Sequence, residues 1–233
     1  MKKISIALLV LVSIAGAVLF LFSGSLDGLI KSAIASYGSA MTKAGVNVGA
    51  VKIAPADGKG TISDLVVGNP SGFKTSHAMK VGRIDVELDL ASVAKEVIVI
   101  RRIAILGPDV IYEKGDAMTN FDAVQKNIAD YLGPSESKKD GKKLIVEELT
   151  IRDAKAHASA AFLNGKAVSV PLPDVTLKNL GKAKGGISPG ELGQEVTSAL
   201  KAKLTGAVSF DRLLKSGGEA LESAGAKVKG LFK

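Results

Sequence analysis

Residues 4–22 form an uninterrupted apolar stretch that directly follows Lys2 and Lys3. A helix over these residues rises about 28 Å at about 1.5 Å per residue, close to the roughly 30 Å hydrocarbon thickness of a bilayer. Both lysines precede the stretch and Asp27 is the first charge after it, so the positive-inside rule predicts a cytoplasmic N-terminus and an outward-facing domain. The pattern predicts an uncleaved transmembrane anchor over residues 1–24. A signal peptide cleaved at residues 15–17 is the alternative.

Residues 25–45 carry apolar side chains at spacings of three and four, which indicates an amphipathic helix that packs on the rest of the domain. Gly45 follows the last of these positions and predicts the end of the helix. A helix that binds a partner is the alternative. The apolar face consists of Leu26, Leu29, Ile30, Ala33, Ile34, Tyr37, Met41 and Ala44.

From Val46 the apolar period changes to two, which predicts β-strands. In residues 81–90, Asp85, Glu87 and Asp89 alternate with apolar residues and predict a half-buried antiparallel strand with one wet face. The more continuously apolar residues 97–106 predict a strand covered on both sides. Further strands are predicted at 46–53, 62–67, 110–113, 144–152, 155–162, 166–172 and 175–180, with Asn164-Gly165 as a hairpin turn.

One helix is predicted to interrupt the strands, over residues 120–132. Thr119 and Asp122 resemble a capping box at its start, and Gly133-Pro134 marks its end. The following residues, 135–143, are polar and low in complexity, so they predict a mobile loop.

Amphipathic helices are predicted again over residues 187–233. Ser188, Pro189 and Glu191 supply the N-cap serine, the early proline and the third-position glutamate of a helix start. The basic tail from Phe210 onward either packs against the sheet or lies on anionic lipid.

Residues 97–113 resemble residues 144–159, since each segment has the pattern of a strand, a charged pair, a strand, a turn and a strand. The resemblance suggests a sheet built from repeated β units. Taken together, the patterns predict an α+β fold. A transmembrane helix precedes a curved, mainly antiparallel β-sheet domain at residues 46–181, with a few amphipathic helices.

The composition narrows the functional classes. The formal net charge of +8 and the pI of about 9.5 are typical of a protein that meets a membrane surface or a nucleic acid. The chain has no Trp and only 4% aromatic residues, and its basic residues are scattered, which argues against a nucleic-acid partner. Cysteine is absent, so the chain has neither disulfides nor thiol chemistry.

The sequence offers no recognisable catalytic or metal-binding motif. The two histidines, His77 and His157, have no metal-ligand spacing and are predicted to be surface or turn residues. Asp85, Glu87 and Asp89 lie on one solvated strand face, where a carboxylate pair could in principle do acid/base work, but such pairs usually serve solubility. We therefore expect no enzyme activity, no cofactor and no metal.

Several stretches resemble AsmA-type bacterial envelope proteins. The resemblance covers most of residues 62–186 and consists of apolar alternation combined with turns. The matching segments are LVVGNPSGF at 65–73, AMKVGRIDVELDLASV at 78–93, IVIRRIAILGPDV at 98–110, LTIRDA at 149–154 and VSVPLPDVTLKNLGKAKGG at 168–186.

The resemblance implies a single-pass inner-membrane protein with its main domain in the periplasm. It also implies a β-sheet groove, a phospholipid ligand, and a role in envelope assembly beside other envelope proteins. The chain is far shorter than the bridge-like lipid carriers of this family, so it would act locally rather than span the periplasm.

Two functional hypotheses follow. In the first, an apolar sheet face binds lipid or supports outer-membrane assembly. In the second, a closed core resembling the small β-sandwiches of desiccation-type proteins serves as a structural or protein-interaction module without lipid. Under the first hypothesis the residues predicted to face lipid are Ile84, Val86, Leu88, Leu90, Val168, Val170 and Leu172.

Overall fold

The computed structural model describes residues 26–133, 142–163, 165–170 and 172–207, which form an α+β domain with a mixed, curved sheet. Its three α-helices are α1 (Leu26–Thr42), α2 (Asn120–Leu132) and α3 (Pro189–Ala207). The strands are β1 (Val46–Ala54), β2 (Lys59–Val67), β3 (Met79–Leu88), β4 (Val97–Leu106), β5 (Asp109–Lys114), β6 (Lys143–Arg152), β7 (Lys155–Ala160), β8 (Ala167–Val170) and β9 (Val175–Leu180).

The nine strands form six long strands, because three of the long strands each consist of two consecutive shorter ones. Apart from a shift between Glu87 and Leu88, β3 pairs with β4 and with β5 in a single register, so β4 and β5 are two halves of one bent strand. β6 and β7 are halves of the next bent strand, and β8 and β9 pair with them in one continuous register. The lateral order is therefore β1, β2, β3, β4/β5, β6/β7 and β8/β9.

The repeat predicted from the sequence lies side by side in this sheet. β4 pairs in parallel with β6 from Val97↔Lys143 onward, and β5 pairs in parallel with β7 from Asp109↔Lys155 onward. Both pairings join residues 46 positions apart. A parallel pair needs a crossover connection, and α2 supplies it. The predicted sheet was mainly antiparallel, and these two parallel pairs make it mixed.

A transverse crease crosses the sheet at Gly49, Asp64, Gly82, Gly107 and Asp153. Asp64, Gly107 and Asp153 have left-handed φ values of 54°, 56° and 55°. Such a residue acts as a β-bulge and reverses the alternation of side chains that follows it. The crease thus bends five of the six long strands at one level.

The reversal keeps apolar side chains on one face of the sheet. On β3, Val81 before the crease and Ile84 after it enter the same core cluster, although their numbers differ by an odd count. A second crease at Arg101, Glu147 and Asn179 (φ 55°) does the same for β4, β6 and β9. One core therefore runs past both creases.

The three helices cover that apolar face, with α2 between α1 and α3. The main core joins the sheet to Phe121 of α2 and to Leu200 and Leu204 of α3. α1 joins the sheet through a separate small cluster around Ile30, Val48 and Val51. This cluster shares Ile62 and Leu65 with the main core, and Met41 of α1 also packs against α2.

The other face of the sheet is polar and carries a charge ladder. At one level, consecutive strands present Lys59, Glu87, Arg102, Glu148 and Lys178, each in register with the next. Opposite charges on directly opposed residues stabilise strand pairing. Of the predicted wet face of β3, Glu87 belongs to this ladder, whose charges largely neutralise one another.

Local signals located most of the elements. Both caps are present as expected, at Thr119/Asp122 and at Ser188/Glu191. The strand predicted over residues 81–90 ends at Leu88, since Leu90 begins a short 3₁₀ turn. β4 is not covered on both sides, because Arg101 and Arg102 are exposed.

Some predictions lie outside the described residues: the anchor, Asn164 of the hairpin turn, most of the loop at 135–143 and the tail beyond Ala207. Among the residues that are described, no helix combines the length and apolarity needed to cross a membrane.

Candidate functional site

An apolar cleft lies between the first turns of α1 and the adjoining ends of β1, β2 and β3. Ile30 forms its helical wall, and Leu90 closes it from the turn after β3. The whole lining is Ile30, Ile53, Ala54, Pro55, Gly58, Lys59, Gly60, Ile62, Val86, Leu88 and Leu90. Lys59 is the one charged residue in this lining.

The cleft exists because α1 packs closely against β1 at one end and less closely at the other. At Gly38, a Cβ atom would stand 3.0 Å from Val46, so helix and strand are in tight contact there. Near the start of α1 the link is polar, since the Asp27 carboxylate accepts a hydrogen bond from the Ile53 N–H at 3.0 Å. The space beside Ile30 is left open.

The floor of the cleft depends on Gly58. This residue has a left-handed φ of 65°, and its carbonyl accepts a 2.7 Å hydrogen bond from the Leu88 N–H. An added Cβ would lie 2.8 Å from the Leu88 carbonyl oxygen and 3.1 Å from Leu90. Only glycine fits this turn without a shift of the backbone.

The cleft is small in this conformation. Its volume is about 30 Å³, whereas pockets that enclose small-molecule ligands measure roughly 300–1,000 Å³. Entry of a longer apolar group would require α1 to move away from the sheet. Such a movement would disrupt the small cluster around Ile30, which shares Ile62 and Leu65 with the main core.

The seven residues predicted to face lipid do not form one surface. Val86, Leu88 and Leu90 line the cleft. Ile84 and Leu88 are buried in the main core, and Val86 packs against it. Val170 and Leu172 also pack against the main core, and Val170 lies on the outermost strand, β8. Val168 is 44% exposed on β8, the outermost strand.

A polar cluster far from the cleft brings both histidines to one carboxylate. His77 Nε2 lies 3.7 Å from Asp109 Oδ2, and His157 Nε2 lies 3.4 Å from Asp109 Oδ1. The His77 ring is also 2.8 Å from the Ser76 hydroxyl through Nδ1. His77 is only 4% exposed, so the prediction of a surface position was wrong for this residue.

Burial is the main influence on His77. Burial and the nearby Lys80 charge lower the pKa of His77, whereas Asp109 opposes them. His77 Nε2 and Asp109 Oδ1 are buried and lack a hydrogen-bond partner among the described residues. In that part of the chain, no group of three or more His, Cys, Asp or Glu residues could hold a metal ion.

The loop between β2 and β3 covers this region through a buried acid. Glu113 is 1% exposed, and its carboxylate accepts hydrogen bonds from Lys74 N–H, Thr75 N–H and the Thr75 hydroxyl at 2.6–2.9 Å. Asn69 donates to the Thr75 carbonyl and hydroxyl at 2.9 Å. The N-P-S-G-F stretch noted in the sequence therefore has a structural role in holding this loop.

The sequence contained one overlooked signal for the histidine cluster. The repeat offset of 46 places Lys155 beside Asp109, and His157 is two positions further along the same face of β7. His77 has no such signal, because it lies in the loop before β3 and reaches Asp109 only after folding.

No family model, curated protein or solved structure matches this chain.

Proposed function

We propose that this protein is a non-enzymatic, membrane-anchored lipid-binding domain of the bacterial envelope. The observation that carries the proposal is the apolar cleft beside the start of α1, where a phospholipid acyl chain would enter. The cleft contains three of the seven residues predicted from the sequence to face lipid: Val86, Leu88 and Leu90. The stretches resembling AsmA-type proteins are the sequence-based reason to favour lipid.

The position of the cleft relative to the predicted anchor supports this proposal. Residue 22 ends the apolar stretch, and four residue steps of at most about 3.6 Å each separate it from Leu26. Leu26 packs in the same small cluster as Ile30, which lines the cleft. Ile30 lies about 6 Å further along α1, so an anchored domain would hold the cleft within about 20 Å of the apolar stretch.

The proposed localisation is the inner membrane, with a cytoplasmic N-terminus and the main domain in the periplasm. Support for envelope assembly, together with other envelope proteins, is part of the same proposal. We assign no catalytic step to the domain.

Lipid photocrosslinking of the full-length chain tests this proposal. The chain is placed in nanodiscs that contain a phospholipid with a diazirine near the end of one acyl chain, and adducts are mapped by peptide mass spectrometry. We expect adducts on the peptides that contain residues 53–62 and 86–90. Leu90→Trp fills the mouth of the cleft and is expected to reduce these adducts several-fold.

Val168→Trp is the matched control, because Val168 is 44% exposed and Leu90 is 42% exposed. This variant is expected to leave the adduct pattern unchanged. Adducts confined to residues 1–25, or equal in the two Trp variants, would refute the cleft as a lipid site.

A closed-core module without a lipid ligand is the second candidate. The three helices that cover the apolar face of the sheet favour it, as does the small volume of the cleft. Val86→Asp separates the two candidates, because Val86 is half-buried and lines the cleft. Loss of lipid adducts with a folded domain supports lipid binding. A decrease of about 3 kcal/mol in the free energy of unfolding, with no adducts in the parent chain, supports the closed core.

A further inference from the structure

One end of the sheet gathers basic and apolar side chains. This proximal end comprises the ends of β1, β3 and β9 and the starts of β2, β4 and β6, and the registers place these at one level. α1 also begins there, since Asp27 bonds to Ile53 at the end of β1.

Six lysines belong to the proximal end, and five of them are exposed while Lys142 is half-buried. Lys59 opens β2, Lys95 precedes β4, and Lys142 and Lys143 open β6. Lys182 and Lys184 lie in the turn that follows β9. The positive charges therefore extend from one side of the sheet to the other.

Acidic side chains at this end are only slightly fewer than basic ones, with Asp27, Asp57, Glu87, Asp89, Glu96 and Glu191 against the six lysines and Arg101. Asp89 pairs with Arg101 at 3.2 Å, and Glu191 accepts a 2.7 Å hydrogen bond from the Ser188 N–H. Asp57 and Glu96 are exposed. The proximal end thus carries a small net positive charge, with exposed lysines spread across the width of the sheet.

Two large apolar side chains project from the same end. Leu29 is 58% exposed on α1, and Leu90 is 42% exposed after β3. Surfaces that bind anionic membranes typically combine lysines with exposed leucines. The leucines insert at the headgroup boundary, and the lysines pair with the anionic lipids.

We propose that the proximal end is a docking surface for the anionic leaflet of the membrane that holds the N-terminal segment. This inference rests on the proposed membrane anchor. It goes further by giving the domain a fixed orientation, in which the sheet stands on the bilayer and the mouth of the cleft meets the acyl-chain region.

Chain length supports this occupant over a soluble anion or a second protein. The short connection from residue 22 to Leu26 keeps the start of α1, one corner of the proximal end, within roughly 15 Å of the apolar stretch. The surface potential of an anionic leaflet decays over about 8 Å at physiological salt. Lysines that the tethered domain brings within this decay length are attracted without any added partner.

A fluorescent label must distinguish a domain that is docked on the membrane from one that is only held near it by the N-terminal segment. Residues near Leu29 stay close to the membrane in any orientation of the domain. Ala183 is the better position, because it is exposed and lies between Lys182 and Lys184. It is five strand intervals from β1, about 24 Å at roughly 4.8 Å per interval.

The experiment uses the full-length chain, which has no native cysteine. Ala183→Cys carries a bimane fluorophore, and the protein is inserted into nanodiscs that contain a doxyl-labelled phosphatidylcholine quencher. Discs with and without phosphatidylglycerol are compared. Val168→Cys, on β8 away from the proximal end, is the control position.

We expect strong quenching at position 183 in discs with phosphatidylglycerol and little quenching at position 168. The quenching should disappear at about 0.5 M NaCl, where the Debye length is about 4 Å. It should also fall when Lys95, Lys143, Lys182 and Lys184 are changed to Gln. Each lysine near an anionic leaflet changes the ratio of docked to undocked domain by about fivefold, so the combined loss for four lysines is roughly several hundredfold.

Equal quenching at positions 183 and 168 in discs with phosphatidylglycerol would overturn the docking surface. Quenching that the four Lys→Gln changes leave intact would overturn it as well. The two outcomes also separate the docking surface from lipid binding in the cleft. Undiminished cleft adducts in an undocked domain would retain lipid binding, whereas a docked domain without cleft adducts would retain only the docking surface.

Discussion

The first crease provides a demanding test of the fold, because two residues on neighbouring strands must be small or strained for the strands to bend together. Gly49 on β1 faces Asp64 on β2 across an interruption in the register. A Cβ at position 49 would lie 2.7 Å from the Asp64 Cβ, 3.0 Å from its Oδ2 and 3.2 Å from the Ser63 carbonyl oxygen. Asp64 itself has a left-handed φ of 54°.

Gly49→Ala is expected to lower the free energy of unfolding by about 1–3 kcal/mol, the usual effect of overpacking a well-packed contact. Asp64→Gly relieves a left-handed conformation that costs about 1–2 kcal/mol. It also adds about 0.5–1 kcal/mol of chain entropy to the unfolded state. The single variant Asp64→Gly should therefore lie within about 1 kcal/mol of the parent chain.

The double variant is the informative one. Asp64→Gly removes the two closest contacts of the new Cβ and leaves only the Ser63 carbonyl. The double variant should be more stable than the sum of the single effects predicts, with a coupling of about 1 kcal/mol or more. The assay is urea unfolding of the full-length chain in detergent micelles, followed by far-UV circular dichroism.

Two results would refute this reasoning. Additivity within about 0.3 kcal/mol would mean that positions 49 and 64 do not meet at the crease. An unchanged free energy of unfolding in Gly49→Ala would mean that the strands are further apart than the register requires.

The remaining predictions concern charge. Because the pKa of His77 is lowered by burial and by Lys80, the unfolded chain takes up its proton first as pH falls below about 6.5, and the free energy of unfolding then decreases by up to about 1.4 kcal/mol per pH unit. Urea unfolding at several pH values measures this slope; His77→Gln should flatten it, and an unchanged slope would contradict the assignment. Glu148→Lys places a third cation between Arg102 and Lys178 and should lower stability by about 1 kcal/mol at low salt. High salt should remove most of that loss, and an equal loss at every salt concentration would mean that the ladder does not act through charge.

Much of the fold could be predicted because its elements follow from short-range patterns. Period-two alternation located the strands, and the reciprocal hydrogen bonds of Thr119 with Asp122 located the start of α2. These signals involve residues a few positions apart, so they do not depend on the rest of the chain.

The candidate site was only partly predictable. Val86, Leu88 and Leu90 were placed on one apolar face by alternation, and they do line one cleft. The sequence could not separate them from Val170 and Leu172, which have the same pattern but lie at another part of the sheet. Alternation identifies the buried face of a strand and contains no information about which helix covers it.

Three features arise only in the tertiary structure. The parallel pairing of the repeat joins residues 46 positions apart, and the charge ladder joins five strands that are scattered along the chain. His77 and His157 meet at Asp109 for the same reason. The sequence alone determined which residues form strands and helices, because backbone propensity and apolar period act locally. Tertiary structure decided which faces, charges and clefts face one another, because strand register is set by contacts between residues far apart in the chain.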